Sequence, residues 1–184
     1  VLFLSLEMDV NSILERLFCQ TMKVDNFELL CGKLNTNEEI QTKWKTFETW
    51  IKGVPLLVTN GIGKSFEEIN KLIELLNPKP KCVIVDYIQG VRANKDERIE
   101  MNEYIRKFRE LMVENNTIGI LASQVNRQII DNKDKRPTLE NLKSTGVLEE
   151  HADIVMLLYW DYFYTKNETD KNKYEIVIAK NRNG

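Results

Sequence analysis

The sequence predicts an α/β fold in which a mainly parallel sheet is covered by helices on both faces. Two observations carry this. Short runs of consecutive β-branched and aliphatic residues, such as Val83-Ile84-Val85, alternate along the chain with helical patterns. Polar residues recur where such runs end, at Glu7, Asp86 and Gln124, and in open α/β sheets that edge is where ligands bind. With 184 residues and 42% apolar content, the chain can bury one substantial core, so residues 1–184 are read as a single domain.

The elements follow in order. Residues 1–4 form an apolar run that passes into Ser5 and Glu7, a strand with no lead-in, so the reading expects an element before it. Ile13, Leu14, Leu17 and Phe18 repeat at helical spacing, and Ile40, Trp44, Phe47 and Ile51 share one helical face. Residues 55–59 read as a short strand. Ser65 and Glu68 form a capping box for a helix whose apolar face is Phe66, Ile69, Ile73 and Leu76, and Pro78 and Pro80 end it. The run into Asp86 is a strand, and a long helix over about 98–115 carries Met101, Ile105, Phe108 and Met112 on one face. Residues 118–122 form a strand ending in Ser123 and Gln124. After a polar loop, strands over 154–159 and 174–179 complete the set.

Composition excludes several classes. The longest apolar runs fall far short of the roughly 18 residues that span a bilayer, and no basic stretch precedes an apolar segment at the N-terminus. The expectation is a soluble protein with no membrane partner. Three cysteines, Cys19, Cys31 and Cys82, are widely spaced and in no CxxC pair, which suits a reducing cytosol and argues against a disulfide framework or a zinc site. The single His151 has no second ligand at metal-binding spacing. A net charge of -2 and a pI near 5.7 mean that any nucleic-acid contact must be local. Two segments have such a bias: 92–109, with six bases against four acids, and 127–143, with five against three.

Asn60-Gly61-Ile62-Gly63-Lys64-Ser65 looks like the end of a phosphate-binding loop, but G-x-x-x-x-G-K-[ST] requires glycine where Val58 stands. Ser65 is read instead as a helix cap and Lys64 as a surface lysine.

The more specific signal is an ordered set. Ser5-Leu6-Glu7-Met8 comes after the first strand, Val83-Ile84-Val85-Asp86-Tyr87-Ile88-Gln89 in the middle, Ser123-Gln124-Val125-Asn126-Arg127 after the strand that follows it, and Lys180-Asn181-Arg182-Asn183-Gly184 at the end. Between the last two lie Arg136-Pro137 and Leu142-Lys143-Ser144-Thr145-Gly146-Val147-Leu148-Glu149-Glu150-His151-Ala152-Asp153. In this order and spacing the motifs closely resemble those of DnaB-type replicative DNA helicases, and the resemblance spans essentially the whole chain.

The resemblance implies a RecA-like ATPase core, truncated so that the P-loop strand and helix are expected upstream. The parent protein would be an ATP- and magnesium-dependent 5′ to 3′ helicase that forms a hexameric ring. Glu7 would orient and deprotonate the water that attacks the γ-phosphate; its plainer reading is a glutamate at a helix N-terminus. Asp86 would hold Mg2+ through water. Gln124 would hydrogen-bond the γ-phosphate and report it to the DNA-contacting loops. Lys180 and Arg182, two residues apart on one strand face, would reach the ATP of a neighbouring subunit. Arg127, Arg136, Lys143, Thr145 and Gly146 would contact DNA. The implied partners are single-stranded DNA, identical subunits, a primase and a helicase loader, in the bacterial nucleoid or a phage-infected cell. The 184 residues alone are expected to hydrolyse ATP poorly, lacking the Gly-rich turn and lysine that grip phosphates.

The sequence departs from the family pattern at two places. Lys143-Ser144-Thr145-Gly146 stands where many members have Arg-Glu-Ser-Gly, and Trp160 where an arginine often follows the tyrosine. The lysine keeps a phosphate-binding charge, and Gly146 would still let backbone amides approach the following strand. Two other readings stay open: another RecA-like ATPase of the recombination or clock type, and a catalytically dead adaptor that binds helicase subunits.

Overall fold

The computed structural model describes residues 1–93, 96–126, 134–142 and 146–184. Four strands, β1 (Leu2–Ser5), β2 (Leu57–Asn60), β3 (Cys82–Asp86) and β4 (Ile118–Leu121), form a parallel sheet in the order β2-β1-β3-β4. Between β1 and β2 run α1 (Val10–Met22), α2 (Asn26–Leu30) and α3 (Glu38–Ile51); α4 (Phe66–Leu75) joins β2 to β3, and α5 (Glu97–Glu114) joins β3 to β4.

The chain steps from β1 to β2 in one direction, then back across β1 to β3 and on to β4. Right-handed crossovers therefore assign α1–α3 to one face and α4 and α5 to the other. The packing follows this division. Leu2, Leu4, Val83 and Val85 are fully buried against Phe66, Ile69 and Ile73 of α4 and Met101, Tyr104, Ile105 and Phe108 of α5. A second, smaller core of Phe18, Cys19, Val24, Ile40 and Phe47 lies among α1–α3, with the Phe18 ring edge-on to Trp44 and Phe47. The apolar faces expected for α1, α3, α4 and α5 are the faces that are buried.

Helix ends are fixed by side chains. Asp9 caps α1 by accepting from the backbone of Asn11 and Ser12, and the Ser12 hydroxyl it also accepts holds its carboxyl below the usual range. Asn37 caps α3, and Ser65 and Glu68 form the expected reciprocal box on α4.

Three features depart from the sequence expectation. First, β5 (Ile154–Tyr159) and β6 (Glu175–Asn181) form a separate antiparallel ribbon and do not join the parallel sheet. Between them lie only α7 (Asp161–Thr165) and a short 3-10 turn. This connection holds no helix comparable in length to the strands, and the two strands pair antiparallel as direct neighbours. Second, residues expected to be loop and strand entry instead fold as α6 (Gly146–His151), which packs on α5. Third, among the described residues nothing lies within 4 Å of a Cβ built on Gly146, so they show no close approach to a strand that would call for glycine there. Among the described residues no helix is long and apolar enough to cross a membrane.

Candidate functional site

The parallel register brings the ends of β1, β3 and β4 into line. Ser5 is the partner of Asp86, and Val85 is the partner of Leu121. Glu7 follows Ser5 by two residues and Gln124 follows Leu121 by three, so Glu7, Asp86 and Gln124 gather at the C-terminal edge of one sheet.

Backbone contacts set this edge. The buried Ser5 hydroxyl donates to the Met8 carbonyl at 2.6 Å and accepts from the Met8 amide at 3.0 Å. These two bonds close a turn on which Glu7 is exposed. The Leu6 amide donates to the Asp86 carbonyl at 2.7 Å, extending the β1–β3 ladder past the strand. The half-buried Asp86 is followed by a 3-10 turn, Ile88–Gly90, whose Ile88 amide donates to the Ala122 carbonyl at 3.0 Å. A Cβ on Gly90 would lie 2.9 Å from the Leu6 Cβ; only glycine lets this turn close on the end of β1.

Gln89, at the middle of that turn, has no role in the sequence reading. Its Nε2 donates to the Ser123 hydroxyl at 2.8 Å, and its Oε1 accepts from the Gln124 amide at 3.2 Å. Its position three residues after Asp86, within the same motif, is the signal that could have found it. Beyond Gln124, Val125 bridges Leu142, and the Asn126 amide donates to the Asn141 carbonyl at 2.7 Å.

The Gly-Lys-Ser segment ends in a self-satisfied cap. The Ser65 amide and hydroxyl both donate to the Glu68 carboxylate, at 2.7 and 3.0 Å, which holds that carboxyl below its usual range.

Lys180 and Arg182 lie together on the separate ribbon, at the end of β6. The Lys180 ammonium donates to the Glu149 and Glu150 carbonyls. The Arg182 guanidinium donates to Glu150 O at 3.0 Å and Asp153 Oδ1 at 2.9 Å. Both cations therefore cover the C-terminal carbonyls of α6, a favourable place for positive charge. Asp153 also receives Arg109 at 3.3 Å and is a further residue that sequence reasoning missed.

Arg136 is already engaged. Its guanidinium makes two bonds to Glu175, at 2.8 and 2.7 Å, and lies 4.9 Å from the centre of the Tyr159 ring. It ties the loop to the start of β6, a geometry that favours a strut over the free DNA contact expected. The Glu175 partner raises the Arg136 pKa, and Arg136 in turn holds Glu175 low. Tyr159, donating to Asp161 at 2.6 Å, is pushed up to about 12. Gly146 is exposed at the start of α6. The expected DNA contacts Arg127, Lys143 and Thr145 lie outside the described residues.

The edge suits a magnesium nucleotide. The carboxylates of Glu7 and Asp86 are hard oxygen donors at the end where open α/β sheets bind ligands, and magnesium prefers oxygen ligands and retained water.

The family model of the DnaB-like helicase C terminal domain matches residues 1–184. The replicative DNA helicase DnaB of Geobacillus stearothermophilus is 28% identical over 199 residues, covering all of this chain and 41% of that protein. The replicative DNA helicase DnaC of Bacillus subtilis is 31% identical over 190 residues, again with 41% of its length covered. The chain thus spans about two fifths of these curated relatives. Among solved structures, a DnaB-like replicative helicase studied with its primase interactions superimposes with a TM-score of 0.89 at 27% identity, over all of this chain and 45% of that one. A second solved structure, described as an ATPase domain, gives 0.86 at 26% identity, over all of this chain and 68% of that one. The strand-end motifs, the RecA-like α/β architecture and a family match over every residue agree: the chain belongs to the DnaB-like helicase C-terminal domain family.

Proposed function

We propose that this chain is the ATP-hydrolysing motor of a replicative DNA helicase that works in the cytoplasm as a hexameric ring on single-stranded DNA. The observation that carries the proposal is the common sheet edge of Glu7, Asp86 and Gln124. Asp86 would hold Mg2+ through its water shell, and bound magnesium would neutralise charge developing on the phosphates. Glu7, exposed on its turn, orients the attacking water and takes its proton. Gln124 hydrogen-bonds the γ-phosphate. From it the backbone runs through the Val125–Leu142 bridge to the segment proposed to meet DNA, in which Arg127, Lys143, Thr145 and Gly146 are the contacts. Lys180 and Arg182 act on a neighbouring subunit's ATP and must first leave the α6 carbonyls. Identical subunits, a primase and a helicase loader are the proposed protein partners.

The 184 residues contain no complete G-x-x-x-x-G-K-[ST], so the test uses the full-length protein that carries them. Glu7→Gln is expected to lower turnover about a hundredfold or more while leaving ATP affinity nearly intact, because the base acts in the transition state. Equal loss of nucleotide affinity in a binding titration would contradict the catalytic role.

A further inference from the structure

We infer that Gln89 is a positioning residue that locks Gln124 to the Asp86 strand end and so couples the metal side of the site to its γ-phosphate side. The inference rests on the proposed ATPase reading and assigns a residue that reading leaves unused.

The geometry is two-sided. A primary amide has a donor end and an acceptor end in one plane, and Gln89 uses both: Nε2 donates to Ser123 Oγ at 2.8 Å, and Oε1 accepts the Gln124 amide at 3.2 Å. Flipping the amide would set its NH2 group against the Gln124 N–H and lose that bond, so one orientation is selected. The partners lie 34 and 35 residues away in sequence, and the amide is thus a cross-brace between separate strand ends, unlike a local turn bond.

The brace stands on a firm base. The turn that carries it is bonded to the residue just after β4, through Ile88 N–H to Ala122 O at 3.0 Å, and closed by Gly90 N–H to Tyr87 O at 2.9 Å. Gly90 rests on Leu6, with a built Cβ only 3.2 Å from the Leu6 carbonyl oxygen. The turn therefore touches the residue before Glu7, follows directly from Asp86, and reaches across to Ser123 and Gln124. A shift of Gln124 on nucleotide binding or release pulls on the turn through the amide. Half-buried and with water able to replace either bond, Gln89 adds little to folding stability, so its role is to be seen in the rate and not in the melting temperature.

The test is steady-state ATP hydrolysis by the full-length protein, with and without single-stranded DNA. Gln89→Met keeps the length of the side chain and removes the bonds to Ser123 and Gln124. The expected result is a kcat about tenfold lower, a KM for ATP within about threefold, loss of most DNA stimulation, and a Tm within a few degrees of wild type. Ser123→Ala removes the far end alone and is expected to lower kcat about threefold, and the double variant is expected to be no worse than Gln89→Met, because both cut one connection. Wild-type kcat and DNA stimulation in Gln89→Met overturn the inference, as does a loss carried by KM alone. Should Gln89→Met fail to fold, Ser123→Ala decides in its place, and an unchanged kcat there is the contrary result. The two levels separate through the wild type: absence of magnesium-dependent ATP hydrolysis sensitive to Glu7→Gln defeats the ATPase reading and this inference with it, whereas its presence alongside an unaffected Gln89→Met defeats the inference only.

Discussion

The sheet edge and the end of β6 hold their functional candidates in opposite ways. At the edge, the backbone does the placing: Ser5 turns the chain, Leu6 continues the ladder onto Asp86, and the Ala122 amide donates to the Val85 carbonyl. Glu7 and Gln124 extend from that frame into solvent. At the end of β6, the side chains themselves are bound, Lys180 to the carbonyls of Glu149 and Glu150, and Arg182 to Glu150 and Asp153. The difference separates side chains placed by the backbone from side chains already bound by other groups of the chain. To act on a neighbouring subunit's ATP, as proposed, Lys180 and Arg182 would have to exchange these acceptors for phosphate oxygens, whose negative charge is stronger than that of two carbonyls and an exposed carboxylate.

The largest expected effect breaks the comparison at its second half. In full-length rings, Arg182→Ala is expected to lower ATP turnover about a thousandfold if its guanidinium acts on transferring phosphate. Mixing it with Glu7→Gln subunits is expected to restore part of the activity, because an intact Glu7 can then face an intact Arg182. Full activity of the Arg182→Ala ring would assign the residue to cis packing on α6.

A smaller effect sharpens the first half. Ser65→Ala is expected to destabilise the protein by about 1 kcal/mol through loss of the α4 cap, with ATP affinity unchanged. Denaturant titration and nucleotide binding measured together check this. A loss of affinity without loss of stability would return the Gly-Lys-Ser segment to phosphate binding.

The smallest concerns the Arg136–Glu175 strut. Arg136 holds the Glu175 carboxyl below the ordinary glutamate value. Its contribution is therefore present above that value, roughly pH 4.3, and fades as pH falls through the lower folded value. Both side chains are about half exposed, so the effect is small and screened by salt. Comparing melting temperatures of wild type and Glu175→Gln, the gap is expected at pH 7 and to narrow as the pH falls below the ordinary glutamate range. A gap that widens in acid would contradict the assignment.

Much of the main sheet was legible because its signals are local. Val83-Ile84-Val85 before Asp86 announces a buried strand with a polar end, and Met101, Ile105, Phe108 and Met112 announce one helix face, the one that packs on the sheet. The β5–β6 ribbon was not legible in its pairing. Ile-Val-Met-Leu-Leu-Tyr is apolar at every position, the pattern of a strand covered on both sides, yet only Val155, Leu157 and Tyr159 are buried, while Ile154, Met156 and Leu158 are exposed. α6 begins at a glycine and runs six residues, too short for a periodic signal. The candidate edge was legible residue by residue, but its bracing was not, since Gln89 and Ser123 are 34 residues apart. The engagement of Arg136 and Arg182 was hidden for the same reason: their carboxylate partners lie 39 and 29 residues away.

The most direct measurement is a structure of the full-length protein with magnesium and a non-hydrolysable ATP analogue. The γ-phosphate and metal are expected at the C-terminal edge of the parallel sheet, beside Glu7, Asp86 and Gln124 of one subunit, with Arg182 of the adjacent subunit released from Asp153 and turned toward the phosphate. Nucleotide bound at any other edge, or Arg182 still on Asp153 in every nucleotide-filled interface, would contradict it.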